Sequence, residues 1–116
     1  MIFQPELARL VMAGEKTVTR RVAVDNPRSP WWRERCGLVV GRDYAVCPGR
    51  GKPQVGRVRI VDTWLSPLGQ IMRFGAREAQ REGFATAFEF ATVWEHINGV
   101  YDPATLVWRI EMEVDG

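Results

Sequence analysis

The chain has 116 residues, of which 46% are hydrophobic, five tryptophans, and a formal net charge of +2. That composition fits one domain with its own core and excludes a disordered or low-complexity chain. The small cation excess permits a nucleic-acid partner but speaks against a long, purely electrostatic phosphate groove.

Pro5 to Ala13 reads as a helix: Pro5 suits the first position, Glu6 the positive end and Gly14 the stop, while Leu7, Leu10 and Val11 form one apolar stripe. Thr17 to Val24 reads as a strand, with Val18, Val22 and Val24 on one face and Thr17, Thr19 and Arg21 on the other. If the valine face is buried, the threonine face is free for a ligand or for another packing layer. Residues 25–42 form an excursion broken by Asn26-Pro27, Ser29-Pro30 and Gly37, with Trp31 and Trp32 set among Arg28, Arg33 and Arg35. Asp43 to Cys47 is a short strand after the Gly41 turn, Pro48 to Pro53 a glycine-rich basic loop, and Val55 to Trp64 a longer strand.

Gly75 to Glu82 reads as a short, mostly polar helix. Thr86 to Asn98 is a further helix, with Thr86 and Glu89 as a capping box and Phe88, Phe90, Ala91, Trp94 and Ile97 as its apolar stripe. In the last strand, Leu106 to Val114, the residues Leu106, Trp108, Ile110, Met112 and Val114 alternate with Val107, Arg109, Glu111 and Glu113. No repeat or linker divides the chain. Residues 1–116 are therefore expected to form a single α+β domain, a small, partly closed barrel with two or three short helices at its rim.

Cys36 and Cys47 have no metal-ligand spacing and His96 is the sole histidine, so no metal and no cofactor is expected. The start of the chain has neither a basic region nor a long apolar run, and no membrane-length apolar segment follows. The expectation is a cytoplasmic protein with reduced thiols and no membrane partner. Composition names no protein partner.

The segment Gly14-Glu15-Lys16-Thr17-Val18-Thr19-Arg20-Arg21 concentrates two hydroxyls and three cations at the bend between helix and strand. A lysine serves as a general base only if its pKa falls, through burial or a cationic neighbour such as Arg20 or Arg21. A threonine hydroxyl needs such a base beside it to act as a nucleophile, so Lys16 and Thr19 are the reactive candidates. Thr17, Arg20 and Arg21 are candidates to position a ligand. Read alone, the same residues also describe a solvated strand. Glu82, before Gly83-Phe84, can project from a helix end into a cavity, where it accepts a hydrogen bond or donates a proton; it also reads as a surface glutamate. In the Pro48–Pro53 loop, Arg50 and Lys52 can meet an anion, although the loop lacks P-loop spacing and equally reads as a hairpin turn. Trp31 and Trp32 can stack on unpaired bases or cover an edge of the barrel.

The order of Gly14-x-Lys16-Thr17-x-Thr19-x-Arg21, the Gly41-Arg42-Asp43 turn, Glu82-Gly83-Phe84 and the apolar last strand resembles the ASCH domains, relatives of the PUA domains, over nearly the whole chain. The resemblance implies a PUA-like mixed β-barrel whose cleft is lined by the first motif and by Glu82, with RNA or a small nucleoside or nucleotide as ligand. Some small bacterial members resemble an amidohydrolase that deacetylates acetylated cytidine. By that likeness Lys16 would be the base, Thr19 the nucleophile and Glu82 the proton donor. Other members are associated with ribonuclease activity. This chain departs from the pattern in its proline- and tryptophan-rich stretch between the first and second strands.

Overall fold

The computed structural model describes residues 1–115. Pro5 opens α1 (Pro5–Met12), and Gly14 turns the chain out of it at φ +77°, a backbone region that L side chains rarely enter. The N–H groups of Glu15 and Lys16 then both donate to the carbonyl of Leu10, at 3.0 and 3.1 Å, and the chain enters β1 (Val18–Val22). That double bond fixes where Lys16 leaves the helix.

Three more strands follow: β2 (Asp43–Val46), β3 (Gly56–Pro67) and β4 (Leu106–Val114). They pair antiparallel in the order β1-β4-β3-β2. A register shift between Ile60 and Asp62 marks a bulge in β3, which bends the strand. The barrel expected from the sequence is a curled, four-stranded half-barrel. Between β3 and β4 run α2 (Gln70–Phe74), α3 (Ala76–Arg81) and α4 (Ala87–Asn98). The described residues hold four helices, beside the expected two or three; the additional one, α2, is only five residues long, too short to show a helical period. No helix among the described residues is long and apolar enough to cross a membrane.

β4 is central and covered on both faces. Trp108, Ile110 and Met112 join Phe3, Ala8, Val11, Val58 and Ile60 in one core. Val107 joins Leu68, Ile71, Phe90 and Trp94 in the other. Alternation alone makes Val107 and Arg109 a solvent face, yet they are 0% and 3% exposed. The reason is tertiary: the segment from Leu68 to Trp94 packs over that face, and Glu78 supplies the charge that Arg109 needs.

Two expected elements are trimmed. β1 ends at Val22, and Val24 instead makes a single parallel bridge to Trp32. In α4 the cap is formed, with Thr86 Oγ1 accepting from the Glu89 N–H at 3.1 Å, but only Phe90 and Trp94 are buried, while Phe88 is exposed to solvent and Ile97 is about half exposed. Residues 25–42 fold back on the first core, where Trp31, Cys36 and Leu38 pack and the Trp108 indole donates to the Trp32 carbonyl at 3.0 Å.

Candidate functional site

β1 is an edge strand, since β4 is its one neighbour in the sheet. The Thr17 carbonyl accepts from Met112 and the Ala23 N–H donates to Leu106, which sets the odd-numbered residues as the bonded pairs. The backbone groups of Val18, Arg20 and Val22 therefore turn toward the free edge. Side chains from both faces of the strand meet there, so the simple division into a valine face and a threonine face does not describe the site.

Lys16 stands at the start of this edge and is 3% exposed. Its Nζ donates to the Val18 carbonyl, the Glu82 carbonyl and Glu82 Oε1, each at 2.8 Å. An ammonium has three protons to give, and all three are used. Burial pushes the Lys16 pKa below its ordinary value, against the opposing pull of the Glu82 carboxylate. Glu82 caps the C-terminal end of α3, where a helix offers unpaired carbonyls to a cation. Gly83, at φ +98°, lets that end settle on Lys16: a β-carbon there would stand 3.2 Å from Leu10 Cδ1 and 3.6 Å from Lys16 Cβ.

The other Glu82 oxygen, Oε2, accepts from Arg20 at 2.7 Å. Arg20 continues to Glu78 Oε2 at 2.6 Å, and Arg109 grips Glu78 through both oxygens, at 2.6 and 2.9 Å. Lys16, Glu82, Arg20, Glu78 and Arg109 thus form one buried chain of alternating charge. Burial alone pushes the Glu78 carboxyl up, but the bonds and charges of Arg109 and Arg20 outweigh it and hold its pKa at about 2. Arg21 stands apart. It donates to Thr19 Oγ1 at 3.1 Å and to the Ile2 carbonyl at 2.9 Å, its guanidinium lies 4.9 Å from the Phe3 ring centre, and among the described residues it makes no ion pair.

Beyond the β1 edge lies a cavity of about 400 Å³. Lys16, Thr19, Arg20, Arg21 and Glu82 line it on one side, Phe84, Phe90 and Trp94 on the other, and Trp31 also borders it. Its charged lining is three cations to one carboxylate, and that carboxylate is already engaged by two of them. Its size falls in the range of small-molecule sites, roughly 300–1,000 Å³.

No family model matches the chain, and no curated protein matches its sequence. Solved structures do match it. An ASCH domain from Lactobacillus crispatus JV V101 superposes with a TM-score of 0.69 at 14% identity, over 94% of this chain and 70% of that one. A protein from Enterococcus faecalis V583, described by the DUF984 family model, gives 0.64 at 20% identity, over 94% and 69%. A mutant of the ASCH protein of Zymomonas mobilis gives 0.61 at 14% identity, over 97% and 66%.

The chain has the ASCH-domain fold.

Within this ASCH fold the sequence-derived candidates separate into groups. Lys16, Thr19, Arg20, Arg21, Glu82 and Trp31 line the cavity. Thr17 lies outside it, between α3 and β4: its N–H donates to the Arg81 carbonyl and its carbonyl accepts from Met112, both at 2.8 Å. Trp32 also lies outside, because successive residues alternate about the bridge to Val24. Arg50 and Lys52 are exposed on their loop and do not line the cavity. The sequence reading of function leaves out the far wall: Phe84 enters it only as the residue after Glu82-Gly83, and Phe90 and Trp94 only as part of an apolar stripe. His96 stands at the exposed end of α4, away from the cavity.

Proposed function

We propose that this ASCH-fold chain binds RNA or a nucleotide by taking an unpaired base into the cavity beside β1. What supports the reading is the pairing of an aromatic wall with a cationic side in one cavity of about 400 Å³. The rings of Trp31, Phe84 and Trp94 offer the apolar surface that a flat base needs, and Arg21, free of any ion pair among the described residues, offers its charge to a phosphate or carbonyl oxygen. A nucleic-acid or nucleotide ligand also agrees with the ASCH fold at the coarse level. The test is titration of the full chain with the four ribonucleoside monophosphates and with short single-stranded RNA, followed by tryptophan fluorescence. Saturable quenching that weakens when Arg21 becomes Ala supports the reading; no change up to millimolar ligand overturns it.

A second reading is hydrolysis of an amide on a modified nucleoside such as acetylated cytidine. Lys16 would take the Thr19 proton, Thr19 would attack the acyl carbon, Glu82 would protonate the departing amine, and water would then release acetate from the acetyl ester left on Thr19. Four observations bear on it. Lys16, Thr19 and Glu82 share the cavity, and burial lowers the Lys16 pKa, both in its favour. Against it, all three Lys16 protons have acceptors elsewhere and Thr19 Oγ1 accepts from Arg21, so the base must first lose a proton and swing toward Thr19. Acetate release from acetylcytidine, compared between the natural chain and Lys16→Ala, decides the matter.

A further inference from the structure

A second hollow, of about 380 Å³, runs between the N-terminal segment and the loop that follows β2, over Ile2, Phe3, Gln4, Pro5, Pro48 and Gly49. It shares Leu7, Arg21 and Ile97 with the cavity, so the two adjoin along these residues. Arg21 stands at the joint, bonded to Thr19 of the cavity on one side and to the carbonyl of Ile2 of the hollow on the other. Among the described residues no carboxylate lines the hollow, and its one charged lining residue is Arg21. Of the basic loop, Pro48 and Gly49 line it. The Lys52 stem passes 3.2 Å from where a β-carbon on Gly49 would stand, and Arg50 and Lys52 are both exposed on that loop.

We propose that the two hollows join into one channel that takes two consecutive residues of a single-stranded RNA. One base occupies the cavity, the phosphodiester between the residues lies at Arg21, and the second residue rests in the hollow with Lys52 and Arg50 toward the next phosphate. The order of chemistry along the channel carries this: an aromatic pocket, then a cation, then an apolar floor, then two more cations. That is the alternation of base and phosphate along a strand. A free nucleoside would use the first stretch only and leave the loop cations without a role. The inference rests on the nucleobase reading of the cavity and extends it to the length of the ligand.

The experiment compares the four ribonucleoside 5′-monophosphates with the matching 5′-phosphorylated homodinucleotides on the full chain, at several salt concentrations. The dinucleotides are expected to bind roughly tenfold tighter, with a log–log salt slope steeper by about 0.7 for the added phosphate. The quantity followed is the ratio of dinucleotide to mononucleotide affinity. It is expected to fall toward one in the Arg50→Ala/Lys52→Ala double variant and in Ile2→Glu, which puts a carboxylate in the hollow. Equal affinities with equal slopes overturn the two-residue site and leave the cavity reading standing. A dinucleotide advantage that survives both variants also overturns it, because the second residue then lies elsewhere. If no mononucleotide and no dinucleotide binds, both readings fall.

Discussion

Arg20 and Arg109 stand directly opposite each other on neighbouring strands, and a single oxygen of Glu78 accepts a 2.6 Å hydrogen bond from each. Like charges facing across a ladder repel. Glu78 turns that repulsion into a clamp, and through Arg20 the clamp reaches Glu82 and Lys16 at the cavity. The fold and the site therefore share one set of charges.

Glu78→Gln should consequently be among the costlier single changes in the chain. It leaves two buried guanidinium groups facing each other with a neutral amide between them. Breaking a buried pair in this way costs about 3–5 kcal/mol. Urea unfolding of the variant beside the natural chain measures it, and a loss under 1 kcal/mol would show that the clamp bears little of the stability.

Acid should act through the same residue. The Glu78 pKa is about 2 in the folded chain against an ordinary 4.5. A carboxyl whose folded pKa is depressed stabilises the fold above its unfolded pKa, and that contribution disappears as pH falls from about 4.5 to 2. Its size is about 3 kcal/mol, from roughly 1.4 kcal/mol per pKa unit. Unfolding free energies at pH 6, 4, 3 and 2 should fall across that window, and the fall should be shallower by this amount in Glu78→Gln.

Gly83→Ala tests the contact between the two halves of the cavity wall. The position has a positive φ and little free space beside Leu10 and Lys16, whereas Gly99, at φ +90°, has nothing within 4 Å. Both alanine variants meet the backbone cost of about 1 kcal/mol, and Gly83→Ala adds the crowding. The expected result is a larger loss at 83, about 2 kcal/mol, together with weaker ligand binding that Gly99→Ala does not show. Thermal melts and fluorescence titrations of the two variants give the comparison.

Trp31 and Trp32 are adjacent, yet only Trp31 borders the cavity. Stacking of a base on an aromatic ring contributes about 1–3 kcal/mol. Trp31→Leu should therefore weaken nucleotide binding by roughly five- to a hundredfold. Trp32→Leu keeps the carbonyl that Trp108 uses and should stay within about twofold, since 0.4 kcal/mol is a factor of two. Equal effects of the two substitutions would count against a stacked base.

The sequence carries the elements that build the cavity more plainly than it carries the cavity itself. Gly14 and Gly83 are both legible as breakers, and these two turns bring Lys16 and Glu82 together. The partners of Arg20 were not legible in this way. Period two places Arg20 on the valine face, and its partners Glu78 and Glu82 lie 58 and 62 positions away. The same limit applies to α4: periodicity gives its apolar stripe but not which rings meet the sheet and which meet an opening. Trp31 and Trp32 share one composition and differ only through the bridge at Val24.

The free edge of β1 has a consequence for solubility. An open strand edge invites a strand from another molecule, and inward-pointing charges are one way proteins discourage it. Here the edge carries Lys16 and Arg20, each held inward by Glu82. Replacing such a buried ionic set with apolar side chains of similar volume is often neutral or stabilising for the monomer. In this chain the same exchange would also remove the guard from the edge, so a redesign that raises the melting temperature is expected to lower the concentration at which the protein begins to aggregate.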